Sequence, residues 1–175
     1  MVASIFAAHG FACGATGKIN AHGYSDFENV AVKEWVYSRK PEIGYTSGEF
    51  CKFTPGVERV IPTNGCVKMG VEYWPIFRRL GLKLFTVRRD PLSIARSLSN
   101  KQGRPECADE CLPLINRRNE LLDQARAEGH GDDLQADEIA AGNFSSLTAG
   151  FAHHGLVFHA DRAARCVDPT KWHKW

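Results

Sequence analysis

A chain of 175 residues is about one domain long, and 43% hydrophobic with 24% charged residues is an ordinary globular balance, which excludes wholesale disorder. A formal net charge of only +2 excludes a strongly basic nucleic-acid tail, and no run of eighteen apolar residues exists to span a membrane. The expectation is one domain over residues 1–175, cytoplasmic, with neither nucleic acid nor membrane as partner; nothing in the sequence speaks to oligomeric state.

The first segment, Met1 to Ala8, lacks the positive start of a signal peptide and is cut by His9-Gly10, so residues 2–8 read as a short buried strand. A glycine-rich turn follows from His9 to Gly17. Residues 26–39 fit a helix through Phe27, Val30, Ala31 and Trp35, although Val30, Val32 and Val36 also suit a strand. The glycines and prolines between Lys40 and Gly65 predict an irregular loop, a lid or substrate-facing excursion, and residues 24–65 as a whole read as a divergent loop or lid region. Cys66 to Met69 is a short strand candidate, and Pro75 to Leu80 a helix stopped by Gly81. Leu82 to Arg88 reads as a buried strand, ended by Arg89-Asp90-Pro91, with a helix over Ser93 to Asn100. Leu112 to Glu128 is an amphipathic helix with Leu114, Ile115, Leu121, Leu122 and Ala125 on one face and Gly129 as its stop. Asn143 reads as the N-cap of a helix to His153, stopped by Gly155; Leu156 to Phe158 is a last apolar run, and Ala160 to Val167 a final helix. Strands alternating with helices predict an α/β fold with a mainly parallel sheet.

Six cysteines (Cys13, Cys51, Cys66, Cys107, Cys111 and Cys166) stand without a C-x-x-C pair and read as reduced thiols. Cys107 and Cys111 could join Cys51 and Cys66 around a metal, but no histidine pair stands at zinc-finger spacing, and no metal is expected.

Two segments carry chemistry. A glycine-rich turn between a strand and a helix lets backbone N–H groups converge on an anion, aided by the helix dipole. Here Gly17-Lys18 is followed by Ile19, not Ser or Thr, and the register through Gly14 puts Ala15 where a lysine would stand. Neither register gives an intact nucleotide-triphosphatase loop, so the turn reads either as a phosphate cradle or as a turn that binds nothing. The second segment is Lys83 to Leu98. Arg89 stands at the carboxyl end of a strand, Asp90-Pro91 makes a turn, and Ser97 follows eight residues after Arg89, two helical turns into the next helix. A guanidinium there can grip phosphate through two parallel hydrogen bonds. Arg88 and Arg96 add positive charge nearby.

This strand-Arg-Asp-Pro-helix-Ser order resembles the 3′-phosphate-binding motif of the P-loop sulfotransferase family. Cys13-Gly14-Ala15-Thr16 then resembles, more loosely, the family's Ser-Gly-Thr-Thr loop for the 5′-phosphosulfate, and Cys66 to Met69, Asp137-Glu138 and His154 to Phe158 stand in the family's order. The resemblance implies a three-layer P-loop nucleoside-triphosphate-hydrolase-like fold and transfer of a sulfuryl group from 3′-phosphoadenosine-5′-phosphosulfate to a hydroxyl or amine of a small-molecule or glycan acceptor. It assigns Gly10, Cys13, Gly14, Ala15, Thr16 and Gly17 with Arg89 and Ser97 to the nucleotide, Lys18 to the leaving phosphate, and His22 to the catalytic base, with His9 and Glu72 as rivals. The sequence departs from the family where Lys68-Met69-Gly70 replaces a Lys-Thr-His, and the Arg-Lys-Gly nucleotide loop is missing. Trp172 to Trp175 reads as a cluster that docks on the core. Two other readings stand beside this one: a P-loop kinase of nucleotides or small molecules, and an inactive member of the fold that binds a partner.

Overall fold

In a computed structural model, residues Val2–Ala8 form helix α1 rather than the expected strand. A short apolar run without polar interleaving carries no period that separates strand from buried helix. What settles it is the way the run ends. Gly10, at φ +90°, donates its N–H to the Ala7 carbonyl, and Phe11 donates to Phe6. These two bonds close the helix end in a Schellman motif, and the Phe6 and Phe11 rings meet at 5.6 Å across it.

The structure describes residues 1–13, 64–66, 70, 71, 74, 78, 81–101, 103–129 and 133–168. The expected helix over 26–39, the loop over 40–63, residues 67–69 of the expected strand, most of 75–80 and the terminal Trp172–Trp175 lie outside them. The chain divides into two compact units, Met1–Leu82 with Asp161–Cys166, and Lys83–Ala160 with Val167–Trp175.

In the first unit, Ile5 and Phe6 of α1 are buried with Cys13 and Ala163. Ala12 pairs with Gly65 in a parallel bridge, with Ala12 N–H donating to Asn64 and Cys66 N–H donating to Ala12, both at 3.0 Å. The last helix of the chain, Ala160–Ala164, belongs to this unit from Asp161 onward.

The second unit is built on two parallel strands, β1 (Val87–Arg88) and β2 (Leu134–Gln135), in the register Val87 to Leu134 and Arg88 to Gln135. The expected strand over Leu82 to Arg88 is thus paired only at its last two residues, with Thr86 adding a carbonyl that accepts from Leu134 N–H at 2.7 Å. Nor is it buried throughout, since Val87 is 43% exposed. A parallel pair needs a long crossover. Here it is α2 (Pro91–Lys101), a single 3-10 turn at Pro105–Cys107 and α3 (Ala108–Ala127), with α2 and α3 packed on each other. Helix α3 begins before the expected Leu112 and runs through Pro113. Its buried face centres on Ile115 and Ala125, while Leu114, turned about 100° away, is 53% exposed and drops out of the expected stripe.

After β2 come α4 (Ala136–Ala140) and α5 (Ser145–His153), followed in the chain by α6 (Ala160–Ala164), shorter than expected. The cap position of α5 is Phe144, not Asn143; Asn143 instead accepts from the N–H and hydroxyl of Ser145. Helix α5 lies close on the strands. A Cβ on Gly150 would stand 3.2 Å from Leu134 Cδ2 and 3.3 Å from Phe85 Cε1. Phe85 stacks at 5.6 Å from Phe151 and 4.6 Å from His154. His154 Nε2 donates to the Leu84 carbonyl at 2.8 Å, so that nitrogen carries the proton. The architecture is a mixture of helices with a small parallel sheet. Among the described residues no helix is long and apolar enough to cross a membrane.

Candidate functional site

Parallel strands bring their carboxyl ends to the same edge, so whatever follows β1 meets whatever follows β2. Arg89 and Asp90 leave β1; Ala136 and Asp137 leave β2. The Asp137 carboxylate reaches across to both: Oδ1 accepts from Arg89 Nε at 3.2 Å, and Oδ2 accepts from the Asp90 backbone N–H at 3.1 Å. The Arg89 side chain is 19% exposed and that of Asp137 46%.

Asp90 starts α2. Its carbonyl accepts the first helical bond from Ile94, its Oδ2 accepts from Ser93 N–H at 2.7 Å, and Pro91 fills the first helical position, where no donor is needed. The hydroxyl of Ser93 and then its backbone N–H hold the Asp90 carboxyl below the usual range against desolvation, and the Leu92 N–H and the charge of Arg96 add to them. Ser97 is half-buried one turn beyond Ser93 on the same helix face.

The neighbouring arginine is spent differently. Arg88 Nε donates to Asp133 Oδ2 at 2.5 Å, and its terminal amine donates to Asp123 at 2.6 Å. Asp133 is buried, with the Thr86 hydroxyl on its other oxygen and Arg126 3.7 Å away. Two carboxylates therefore balance Arg88, which adds little to the field around Arg89. Arg96 is exposed on α2.

The sequence-predicted residues fall into three groups. Arg89 and Ser97 belong to one strand-turn-helix passage of the second unit. Gly10 and Cys13 belong to the first unit, where Gly10 is the exposed residue that ends α1 and Cys13 is buried beside Cys66. Gly14, Ala15, Thr16, Gly17, Lys18 and His22 lie outside the described residues, as does Glu72. Of the rival bases, His9 donates from Nδ1 to the Ile5 carbonyl at 2.8 Å and so helps close α1. The strand over 2–8 that was to feed the glycine-rich turn is helical, and the residue that pairs as a strand before Gly14 is Ala12.

Two features escaped the sequence. Asp137 stood out only as part of a late passage, because its meeting with Arg89 depends on the strand register. The approach of Cys13 and Cys66 likewise depends on a bridge between distant segments. No family model, curated protein or solved structure matches the chain.

Proposed function

We propose that the chain binds an adenine nucleotide bearing a 3′-phosphate at Arg89 and Ser97, and uses 3′-phosphoadenosine-5′-phosphosulfate as a sulfuryl donor. The observation that carries this reading is the position of Arg89: it follows a parallel strand directly, at the start of a capped helix that bears Ser97 eight residues on. Open α/β sheets bind ligands at that edge. The finer parts of the proposal are a three-layer P-loop fold, a cradle for the 5′-phosphate at Cys13 to Gly17 with Lys18, and His22 as the base that takes the acceptor's proton. Sulfuryl transfer is an in-line displacement in which positioning and charge stabilisation dominate, so the arginine and the cradle would supply most of the effect.

Asp137 shapes how the site would work. A carboxylate on Arg89 Nε competes with an incoming phosphate for the same cation. Titration calorimetry with adenosine 3′,5′-bisphosphate tests both points. The expected result is micromolar binding, weakened at least about tenfold in Arg89→Ala and the same with magnesium as with a chelator. Asp137→Asn should tighten binding by about fivefold, the worth of one partly exposed ion pair. Absence of binding, or binding indifferent to Arg89→Ala, overturns the reading. It would leave the second one, in which the Arg89–Asp137 pair is an internal tie between the two strand ends and the fold serves a partner instead.

A further inference from the structure

We propose that Cys13 and Cys66 form a thiol-exchange site, in which Cys66 reacts with low-molecular-weight disulfides of the glutathione type and Cys13 resolves the adduct to a Cys13–Cys66 disulfide. The site does not rest on the nucleotide reading.

The placement comes from the backbone. Ala12 and Gly65 are partners in a parallel bridge, and Cys66 N–H donates to the Ala12 carbonyl. Cys13 and Cys66 are therefore the next residues in register, and residues at equivalent steps of adjacent strands project to the same side. Neighbouring strands lie about 4.8 Å apart, within the Cα separation of about 4.4–6.8 Å that a disulfide bridges. Both residues are thiols here, and they interact directly through their side chains.

The two thiols differ as a nucleophile and a resolving partner must. Cys13 is buried at 4% exposure, whereas Cys66 is half-buried. The hydrogen bond from Cys13 pushes Cys66 down, against desolvation, and the same bond with burial pushes Cys13 up. Desolvation pushes Cys107 and Cys166 up as well. A thiolate is the attacking species, so the pair directs first attack to Cys66. Two sulfurs are too few for a structural zinc site, and among the described residues no cluster of three or more His, Cys, Asp or Glu completes one.

The steps balance. The Cys66 thiolate attacks one sulfur of R–S–S–R, the S–S bond breaks, and one small thiolate leaves and takes up the proton that Cys66 had lost. Cys13, losing its proton to solvent, attacks Cys66 Sγ; the mixed disulfide breaks and the second small thiolate leaves and is protonated. One small disulfide is reduced to two thiols, and two protein thiols are oxidised to one disulfide. The second attack is internal, so burial of Cys13 does not hinder it.

The test uses the full chain and oxidised glutathione, with acid quenching, alkylation by iodoacetamide in denaturant, and mass spectrometry without reductant. Tryptic cleavage after Lys18, Lys52, Arg59 and Lys68 places Cys13, Cys51 and Cys66 in separate peptides. The expected product joins the Cys13 and Cys66 peptides with the loss of two hydrogens, loses alkylation at both positions, and reverts with dithiothreitol. In Cys13→Ser the glutathione adduct should persist on Cys66; in Cys66→Ser, Cys13 should keep its alkyl label. Full alkylation of both residues in the wild type overturns the proposal, as does an adduct on Cys66 that never resolves, or linkage of Cys66 to Cys51. The wild-type map decides alone should either variant fail to fold.

Discussion

Asp133 shows how much one buried carboxylate can organise. Its oxygens accept from Thr86 and Arg88, with Arg126 at the rim, so three side chains from the β1 passage and α3 converge on it. Removing one member of a buried pair costs about 3–5 kcal/mol, because the other is left uncompensated. Arg88 keeps Asp123, which places the expected loss for Asp133→Ala near the lower end, about 3 kcal/mol by urea unfolding. A loss below about 1 kcal/mol would mean that water already screens the cluster. Arg88 and its neighbour Arg89 mark what could be read without a structure. The place of Arg89 at the end of a strand and before a helix was legible, because an apolar run followed by Asp90-Pro91 is local information. The division of labour between Arg88 and Arg89 was not, because Asp123, Asp133 and Asp137 reach them only through pairing across the sheet.

At the scale of elements, what was legible followed local backbone chemistry. Gly129 and Gly155 stop α3 and α5 at φ +82° and +66°, and Asp90-Pro91 starts α2, each through bonds within a few residues. What was not legible lacked a local mark. The apolar run of α1 has no period and so suits a strand equally well, and β1 is shorter than its apolar run because its length is set by a partner strand 47 residues away. Gly150 lies between these cases. Alanine there would gain up to about 1 kcal/mol of helix propensity, but its Cβ meets Leu134 and Phe85 at 3.2–3.3 Å. Leu134 is wholly buried, and Phe85 touches Phe151 and His154, so a shift of either disturbs packing. Overpacking costs about 1–3 kcal/mol. The expected net effect of Gly150→Ala is therefore a loss of about 1 kcal/mol in urea unfolding. A gain in stability would show that α5 can lift off the strands.

For the whole molecule, the governing quantity is the separation between contacts. Helices α2 and α3 are neighbours in sequence and pack on each other, whereas Thr86 and Asp133 are 47 residues apart. Closing the longer loop costs more chain entropy, so the helix pair is expected to form first and the strand pairing later. Stopped-flow refolding can check this. Ile115→Val, in the buried face of α3, should chiefly slow folding, while Thr86→Val should chiefly speed unfolding. The reverse pattern would place the sheet in the folding nucleus.

The order of these two strands also bears on synthesis. A nascent chain that has delivered α3 but not residue 133 presents the β1 segment without its mate, and Arg88 without the carboxylate that later covers it. Until the ribosome releases that stretch, the unpaired edge is open to any extended peptide nearby.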